Sequence, residues 1–226
     1  MGESGTPVKT REPLWSLCHT TARLPDGWRS AAEAWQRNAD NPFALEYLLC
    51  VHADDLPRLQ ADQRELVDRV IVNHKRSCSV DGWNAAGAAS RGQVLITVAD
   101  DWFPPPHWDS HLLSVIPDPK KQACVWVSTG GNDGLMQFSI LTRSYYERYG
   151  RIFYEEYESV FSDNDFQAQA EKDGVLLDCR KTLPEFRHMH PGFDRSQWDA
   201  VYEKQNRPAA YALGREVFER RKLDGF

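Results

Sequence analysis

A chain of 226 residues with 41% hydrophobic residues and eight tryptophans is long and apolar enough for one packed domain, which excludes a disordered protein. Its net charge of −6 does not indicate binding to nucleic acid or to an anionic membrane surface, although a charge total does not exclude a local basic patch. The polar N-terminus lacks the apolar core of a signal peptide, and no apolar run is long enough to span a membrane.

The five cysteines show no Cys-x-x-Cys spacing, and four of them lie in apolar runs that are typical of strands. Buried thiols that stay reduced are the expected state, because disulfides are rare inside cells. We therefore expect a cytoplasmic protein.

The first half of the chain alternates apolar runs with helical patterns, which predicts a parallel α/β layer. One helix of small residues begins at Asp81, its expected N-terminal cap, and ends at Gly92. Its small side chains would let the backbone lie close to a sheet or to a ligand. Strands are predicted at residues 14–18, 45–52, 69–73 and 94–99, and helices at 28–38, 60–68 and 81–92.

The second half of the chain is less regular and contains no internal repeat and no clear linker. Thr142 is expected to cap one of its helices, and Gly174 is expected to end another. Strands are predicted at residues 123–128, 138–141 and 175–179, and helices at 143–149, 166–172, 197–204 and 209–222.

Two adjacent carboxylates, Asp100 and Asp101, follow the predicted strand at 94–99, and the prolines at 104–106 prevent that strand from continuing. In open α/β sheets, ligands bind at the carboxyl ends of the strands. Crowded carboxylates repel each other unless a cation lies between them, and hard divalent cations prefer oxygen ligands. The pattern is compatible with a metal site that holds phosphates and equally with a solvated turn.

Four segments between residues 15 and 179 follow one another in a distinctive order. His19-Thr-Thr-Ala-Arg23 follows the first strand, and Ala53-Asp54-Asp55 ends the second. A small helix, a glycine, a strand and carboxylates then run from Asn84 to Asp101, and Ser162-Asp-Asn-Asp165 precedes a later helix. In this order the segments resemble the family 2 glycosyltransferases of the GT-A fold, which use nucleotide sugars.

The resemblance implies an α/β fold of the GT-A, Rossmann-like type, with a mixed, mainly parallel central sheet and helices on both faces. It implies a single domain over residues 1–226. The expected parts are a flexible N-terminus (1–11), a half that binds the nucleotide sugar (12–101), an acceptor and catalytic half (102–191) and C-terminal helices (192–226).

A nucleotide sugar, expected to be a UDP-sugar, and a divalent cation, Mn²⁺ or Mg²⁺, are the ligands that the resemblance implies. The first carboxylate of the family's Asp-x-Asp aligns with Val98, so Asp100 is expected to take the main metal role and Asp101 the second. Trp83 replaces an arginine of the family, so other residues must neutralise the phosphates. The expected donor contacts are Thr20, Thr21, Arg23, Asp54, Asp55, Asn84, Asp100 and Trp102.

Two loop histidines, His188 and His190, alternate in a segment where some GT-A enzymes supply a further metal or phosphate contact. Alternating residues in a loop can direct two imidazoles to one point, and a histidine ligand would suit Mn²⁺ as well as Mg²⁺. Taken alone, two loop histidines are more often surface residues without a ligand, and their place after the last strand makes the two interpretations about equal.

The resemblance also gives a catalytic role to the segment Ser162-Asp-Asn-Asp165. Asp163 is expected to be the general base of an inverting transfer, and Asp165 its neighbour in the site. Ser162 replaces a glutamate of the family. Without the resemblance, both aspartates would be interpreted as caps of a helix N-terminus.

Other functions remain open at the level of sequence. A nucleotidylyltransferase on a similar sheet would need a glycine-rich loop after the first strand, which residues 19–23 do not provide. A binding or interaction module without catalysis is the second alternative. The acceptor of a glycosyl transfer is not identified: a saccharide, a protein side chain, a lipid-linked sugar and a hydroxylated nucleobase of DNA are all possible.

Overall fold

The computed structural model describes residues 12–60, 66–116, 118–131, 133–194 and 198–226. The strands within these residues are β1 (Trp15–Thr20), β2 (Leu45–His52), β3 (Arg69–Asn73), β4 (Val94–Val98), β5 (Trp102–Phe103), β6 (Cys124–Trp126), β7 (Ile140–Thr142), β8 (Leu176–Asp178) and β9 (Arg187–His188). The helices are α1 (Arg29–Arg37), α2 (Ser79–Ala89), α3 (Trp108–Val115), α4 (Arg143–Tyr149), α5 (Ser162–Lys172), α6 (Pro191–Asp194), α7 (Ala200–Gln205) and α8 (Pro208–Asp224).

The central sheet has seven strands in the order β3-β2-β1-β4-β7-β6-β8. β1 is parallel to β2 and to β4, and β2 is parallel to β3. β7 is antiparallel to β4 and β6, whereas β6 and β8 are parallel. β5 and β9 form a separate antiparallel pair. The predicted mixed, mainly parallel sheet is therefore confirmed.

Helices cover both faces of β1. Successive side chains of a strand point to opposite faces of its sheet, so the contacts of β1 show which helix lies on which face. Trp15 and His19 point to one face. There the Trp15 ring lies 5.3 Å from Trp108 of α3, and the His19 ring lies 6.4 Å from Trp28, which precedes α1. Thr20 points to the other face, where it meets α2. The predicted helices on both faces are thus confirmed.

The small residues of α2 let the helix lie directly against β1, as predicted. A Cβ added to Gly82 would lie 2.0 Å from Oγ1 of Thr20 and 2.8 Å from its Cβ. No side chain fits at Gly82 while Thr20 keeps its place at the end of β1.

The predicted ends of α2 were wrong. The helix begins after Cys78, and Asp81 lies inside its first turn, where it accepts hydrogen bonds from the main-chain and side-chain nitrogens of Arg76. Gly92 lies beyond the end of the helix, and a Cβ there would lie 2.5 Å from Oγ of Ser16. Gly92 is therefore required for close packing on β1 rather than for helix termination.

Other predicted elements differ in their extent. α5 begins at Ser162, four residues before its predicted start. α3 was not predicted. It follows three prolines, and its cap residue, His107, has a φ of 61°, so no residue typical of a helix start marks its beginning in the sequence. Of the helix predicted at 60–68, residues 61–65 lie outside the described residues.

All five cysteines are free thiols, and four of them are buried. Among the described residues, none of the helices has the length and apolar character needed to cross a membrane.

Candidate functional site

A cleft of about 490 Å³ opens at the carboxyl ends of the parallel strands. The chain runs from β1 to β2 and β3 on one side and then places β4 on the other side of β1, so the strand order reverses between β1 and β4. Open α/β sheets bind their ligands at such a reversal. The loop after β1, the ends of β2 and β4, the start of α5 and residues of α7 and α8 line the cleft.

Asp100 is the centre of a buried hydrogen-bond network after β4. Its Oδ1 lies 2.9 Å from Nε2 of His19, and its Oδ2 accepts hydrogen bonds from Thr21 (3.0 Å) and Arg23 (3.2 Å). Nδ1 of His19 lies 2.6 Å from the hydroxyl of Tyr47, which fixes the imidazole. Both carboxylate oxygens of Asp100 thus have protein partners, and the network holds the loop after β1 against β4.

Asp101 faces a different set of partners. Its Oδ2 lies 3.3 Å from Nε2 of His188 and accepts a hydrogen bond from the Tyr202 hydroxyl. Burial raises the pKa of Asp101, but the hydrogen bonds and charges of its neighbours, led by His188, together outweigh burial and hold the pKa below its usual value. Asp101 is therefore an ionised oxygen donor beside an imidazole nitrogen.

The orientation of His188 makes its Nε2 available to Asp101 or to a ligand between them. Nδ1 of His188 lies 2.9 Å from Oε1 of Gln137. An amide oxygen only accepts, so Nδ1 carries the hydrogen. This contact turns Nε2 towards Asp101, and a hydrogen bond to the second ring nitrogen is the usual way in which proteins orient histidine ligands.

His190 lies beside His188, with their ring centroids 5.2 Å apart. Its ring also lies 5.0 Å from that of Tyr202. Within the described residues, no group of three or more His, Cys, Asp or Glu side chains is arranged to hold a metal ion on its own. The carboxylate of Asp101 and the imidazole of His188 are instead a two-residue candidate.

Arg23 links the loop after β1 to the C-terminal segment. Its Nε donates to Oδ2 of Asp199 at 2.7 Å, and its guanidinium carbon lies 4.4 Å from the ring centre of Tyr202. Burial lowers the pKa of Arg23, but the hydrogen bond to Asp199 and the charge of Asp100 outweigh burial and raise it. Arg23 is thus a permanent cation on the cleft wall.

Asp163 lies in the first turn of α5 and lines the cleft. Burial raises its pKa to about 6, against the opposing effects of the hydrogen bond from the main-chain nitrogen of Asn164 and the charge of His188. The cap position of α5 is taken by Phe161, so Asp163 is not the capping residue. A cleft carboxylate with a raised pKa can accept and release a proton near neutral pH.

Asp165 lies elsewhere, and its expected place beside the base is corrected. Its carboxylate is buried and accepts hydrogen bonds from Nε of Arg221 in α8 (3.0 Å) and from the Tyr157 hydroxyl (3.1 Å). It does not line the cleft. Residues two apart on a helix point in very different directions, so Asp165 joins α5 to α8 while Asp163 faces the cleft.

The side chain of Asn84, an expected donor contact, is turned towards the loop after α4. Its side chain donates to the carbonyl of Phe153 (2.8 Å) and accepts from the main-chain nitrogens of Ile152 (3.0 Å) and Phe153 (2.9 Å). The amide therefore holds the loop after α4 and does not line the cleft. Asp54 is largely exposed, lies near His52 and is also outside the cleft.

The other expected donor contacts lie at the cleft. Thr20, Thr21, Arg23, Asp55, Asp100 and Trp102 all line it. The indoles of Trp102 and Trp83 stack with their centroids 5.5 Å apart, so the tryptophan in the position of the family's arginine supports the cleft wall.

Four site residues were not singled out from the sequence: His19, Tyr47, Asp199 and Tyr202. His19 could have been recognised from the sequence, because a histidine at the end of an apolar strand is unusual. The contacts of Asp199 and Tyr202 carried no such signal, because Asp199 lies 176 positions from its partner Arg23.

The structure is similar to several solved structures at low sequence identity. TarS from S. aureus, also solved with UDP-GlcNAc, gives a TM-score of 0.61 at 12% identity over 78% of this chain. A mannosyltransferase from Pyrobaculum calidifontis, solved with GDP-Man and Mn²⁺, gives 0.59 at 13% identity over 99% of this chain and 79% of its own. Glucosyl-3-phosphoglycerate synthase from Mycobacterium tuberculosis, solved with Mn²⁺, UDP and glucosyl-3-phosphoglycerate, gives 0.58 at 11% identity over 93% and 78%.

The similarity concerns the fold, because the identities are low. The chain spans 37% of the length of TarS. No protein-family model and no curated protein sequence matches the chain. The sheet order, the cleft at the strand reversal and these structural matches together identify the fold as the GT-A fold.

Proposed function

We propose that this protein is a glycosyltransferase that moves a sugar from a nucleoside diphosphate sugar, a UDP-sugar in the first instance, to an acceptor hydroxyl. The observation that carries the proposal is the cleft at the strand reversal, which combines the pair Asp101 and His188 with Asp163, a carboxylate whose pKa is raised to about 6. The fold, shared with structures solved with UDP and GDP-Man, agrees with it.

The residues of the cleft fit a divalent cation. Asp101 offers an oxygen and His188 a nitrogen 3.3 Å apart, a combination that suits Mn²⁺ as well as Mg²⁺. Few protein ligands are needed where substrate phosphates complete the coordination. A bound cation would neutralise charge on the departing diphosphate.

Asp101 is our first candidate for the protein ligand, ahead of Asp100. The two oxygens of Asp100 already have His19, Thr21 and Arg23 as partners. Asp100 would then keep the loop after β1 in position for the donor. His190, whose ring lies 5.2 Å from that of His188, is a candidate for a further ligand.

Binding of the donor is assigned to the cleft residues near the strand reversal. Arg23 supplies a cation for the phosphates, in place of the arginine whose position Trp83 occupies. Thr20, at the end of β1, and Asp55, shortly after β2, line the cleft beside the reversal and are proposed to contact the nucleoside. Trp102 forms an apolar wall next to the two carboxylates.

Asp163 is proposed as the general base. Its carboxylate takes the proton of the acceptor hydroxyl as the acceptor oxygen bonds to the anomeric carbon. The bond from that carbon to the diphosphate oxygen breaks, and its electron pair leaves with the nucleoside diphosphate. Attack from the side opposite the leaving group inverts the anomeric centre, and a positioned base contributes a rate factor of about 10²–10⁴.

The reaction can be tested by incubating the protein with a panel of nucleotide sugars and Mn²⁺ and measuring release of the nucleoside diphosphate. We expect release with one donor class, and its loss in Asp163→Asn while nucleotide binding is kept. Undiminished release in that variant contradicts the base assignment. Turnover of a nucleoside triphosphate with a sugar phosphate would instead identify a nucleotidylyltransferase.

We also propose a cytoplasmic location, since five free thiols suit a reducing compartment.

A further inference from the structure

The rim of the cleft carries exposed aromatic side chains that the proposed reaction does not use. Seven of the eight tryptophans are buried, whereas Trp198 is 52% exposed. Tyr211, near the start of α8, is 43% exposed and lines the cleft. Large aromatic rings usually lie in the core, and an exposed ring beside a cleft offers a rigid apolar contact surface to a ligand.

Both rings lie near residues that line the cleft. The Trp198 ring is 6.0 Å from that of His190, which is the neighbour of His188. The Tyr211 ring is 6.4 Å from that of Phe161, two residues before Asp163. A molecule that brings a hydroxyl to Asp163 therefore approaches the cleft beside these rings.

The charges of the cleft are unfavourable for a polyanionic acceptor. Three lysine and arginine side chains line it within the described residues, and each already has a protein partner. Arg23 pairs with Asp100 and Asp199. Lys204 donates to the carbonyl of Ser77, and Arg207 pairs with Glu158.

A polynucleotide acceptor would be bound largely through contacts between its phosphates and lysine or arginine side chains. Arg23 is assigned to the phosphates of the donor, and Lys204 and Arg207 are engaged with protein partners. With a net charge of −6 as well, the cleft does not supply such contacts to a second phosphate-bearing substrate. Uncharged polar groups are present instead, since Asn164 and Gln205 also line the cleft. Their amides can donate to and accept from the hydroxyl groups of a sugar.

We infer that the acceptor is a neutral saccharide whose apolar C–H faces stack on Trp198 and Tyr211 while one of its hydroxyl groups reaches Asp163. The inference rests on the proposed glycosyl transfer and names its acceptor class. Trp198 and Tyr211 determine acceptor specificity in this arrangement and take no part in donor binding.

The test uses the full chain labelled with fluorotryptophan and saturated with UDP and Mn²⁺. Neutral trisaccharides of glucose, galactose, mannose and N-acetylglucosamine are titrated in turn and followed by fluorine NMR, with the Trp198 resonance assigned by its loss in Trp198→Phe. We expect at least one trisaccharide to move this resonance. Trp198→Ala lacks this resonance, so the affinities of the variants are measured by titration calorimetry with the same trisaccharide. Trp198→Ala and Tyr211→Ala should each weaken binding about tenfold, as expected for the loss of an aromatic stacking partner.

Phe43→Ala is the matched control, because Phe43 is 68% exposed but lies before β2, at the opposite end of that strand from the cleft. This variant should bind the trisaccharide as the wild type does. Equal binding by Trp198→Ala, no response to any trisaccharide, or a response only to a single-stranded DNA oligonucleotide overturns the inference. Thermal stabilisation by UDP and Mn²⁺ separates the two proposals: if it persists without saccharide binding, only the acceptor assignment fails.

Discussion

At the scale of single residues, the proposed chemistry depends on two carboxylates whose surroundings shift their pKa values in opposite directions. Asp101 is held ionised by His188, whereas burial favours the protonated form of Asp163 and raises its pKa to about 6. A metal ligand must be ionised and a general base must take up a proton, so the two environments suit the two proposed roles.

Asp163→Asn should stabilise the protein at neutral and alkaline pH. The native pKa of about 6 lies above the unfolded value of about 3.9. Folding is therefore penalised above pH 6, where the partly buried carboxylate is charged, and not below about pH 4, where both states are protonated. We expect a gain of up to about 3 kcal/mol near pH 8 that vanishes near pH 4. Urea unfolding at the two pH values measures it.

The pH dependence of transfer should follow the same group. Transfer by the wild type should rise with pH through about 6 as Asp163 loses its proton, and the rise should be absent from the residual rate of Asp163→Asn. If Asp163 served only the helix N-terminus, Asn would leave both transfer and stability nearly unchanged, because it serves that position as well as Asp does. That outcome contradicts the base assignment.

Asp101→Asn and Asp100→Asn should differ in their effects on nucleotide binding. The first removes a charge that lies beside His188 and Tyr202, so stabilisation by UDP should no longer depend on Mn²⁺. The second disrupts the network around His19, so UDP should bind more weakly while its metal dependence remains. Thermal unfolding with UDP, with and without Mn²⁺, distinguishes them, and the reverse pattern would return the main metal role to Asp100.

The sequence predicted which aspartates belong to this site but not the directions in which their side chains point. The order of segments brought out Asp100, Asp101 and Asp163, all of which line the cleft. It also grouped Asp165 with Asp163, although the helix turns Asp165 towards Arg221. The side to which a polar residue on a half-buried helix points is decided by tertiary packing, which the local pattern does not contain.

At the scale of elements, α8 is fastened to α5 by the ion pair of Arg221 and Asp165. The exposed fractions of their side chains are only 13% and 5%, and Tyr157 donates a further hydrogen bond to the carboxylate. The attraction within a buried ion pair adds little net stability, because it is offset by the cost of removing both charges from water. Removal of one partner is nevertheless strongly destabilising, because the other charge stays buried and unpaired.

Arg221→Met should therefore destabilise the protein by about 3–5 kcal/mol, because it leaves Asp165 buried without its cation. The double variant with Asp165→Asn should recover part of the loss, as expected for directly coupled residues. Urea unfolding of the single and double variants gives the coupling. Asp165→Asn should release nucleoside diphosphate at the wild-type rate when it is assayed at low temperature. If the folded variant has lost most of this activity, Asp165 takes part in catalysis after all.

The elements themselves were predictable where an apolar run is bounded by polar residues. β2 and β3 have the predicted bounds, and they contain the apolar runs 47–51 and 70–72. The arrangement of α7 over the cleft was not predictable. Its contacts pair Asp199 with Arg23 and Tyr202 with Asp101, and both link segments far apart in sequence.

At the scale of the whole molecule, the account depends on one topological feature, the reversal of strand order between β1 and β4. It brings the loop after β1 and the residues after β4 to one edge of the sheet, and the C-terminal segment closes over that edge. The same edge holds the proposed metal pair, the proposed base and the exposed aromatic rim. A nucleoside diphosphate with its cation should therefore stabilise the entire fold.

The most direct measurement is thermal unfolding with UDP, GDP, ADP and CDP, each with and without Mn²⁺. We expect one nucleotide to raise the melting temperature only when the cation is present, because Asp101 and His188 provide too few ligands for the cation alone. A ligand at about 100 times its Kd adds roughly 2.7 kcal/mol, which amounts to several degrees for a domain of this size. No shift with any nucleotide, or an equal shift without the cation, would contradict the metal-bridged donor site on which the account rests.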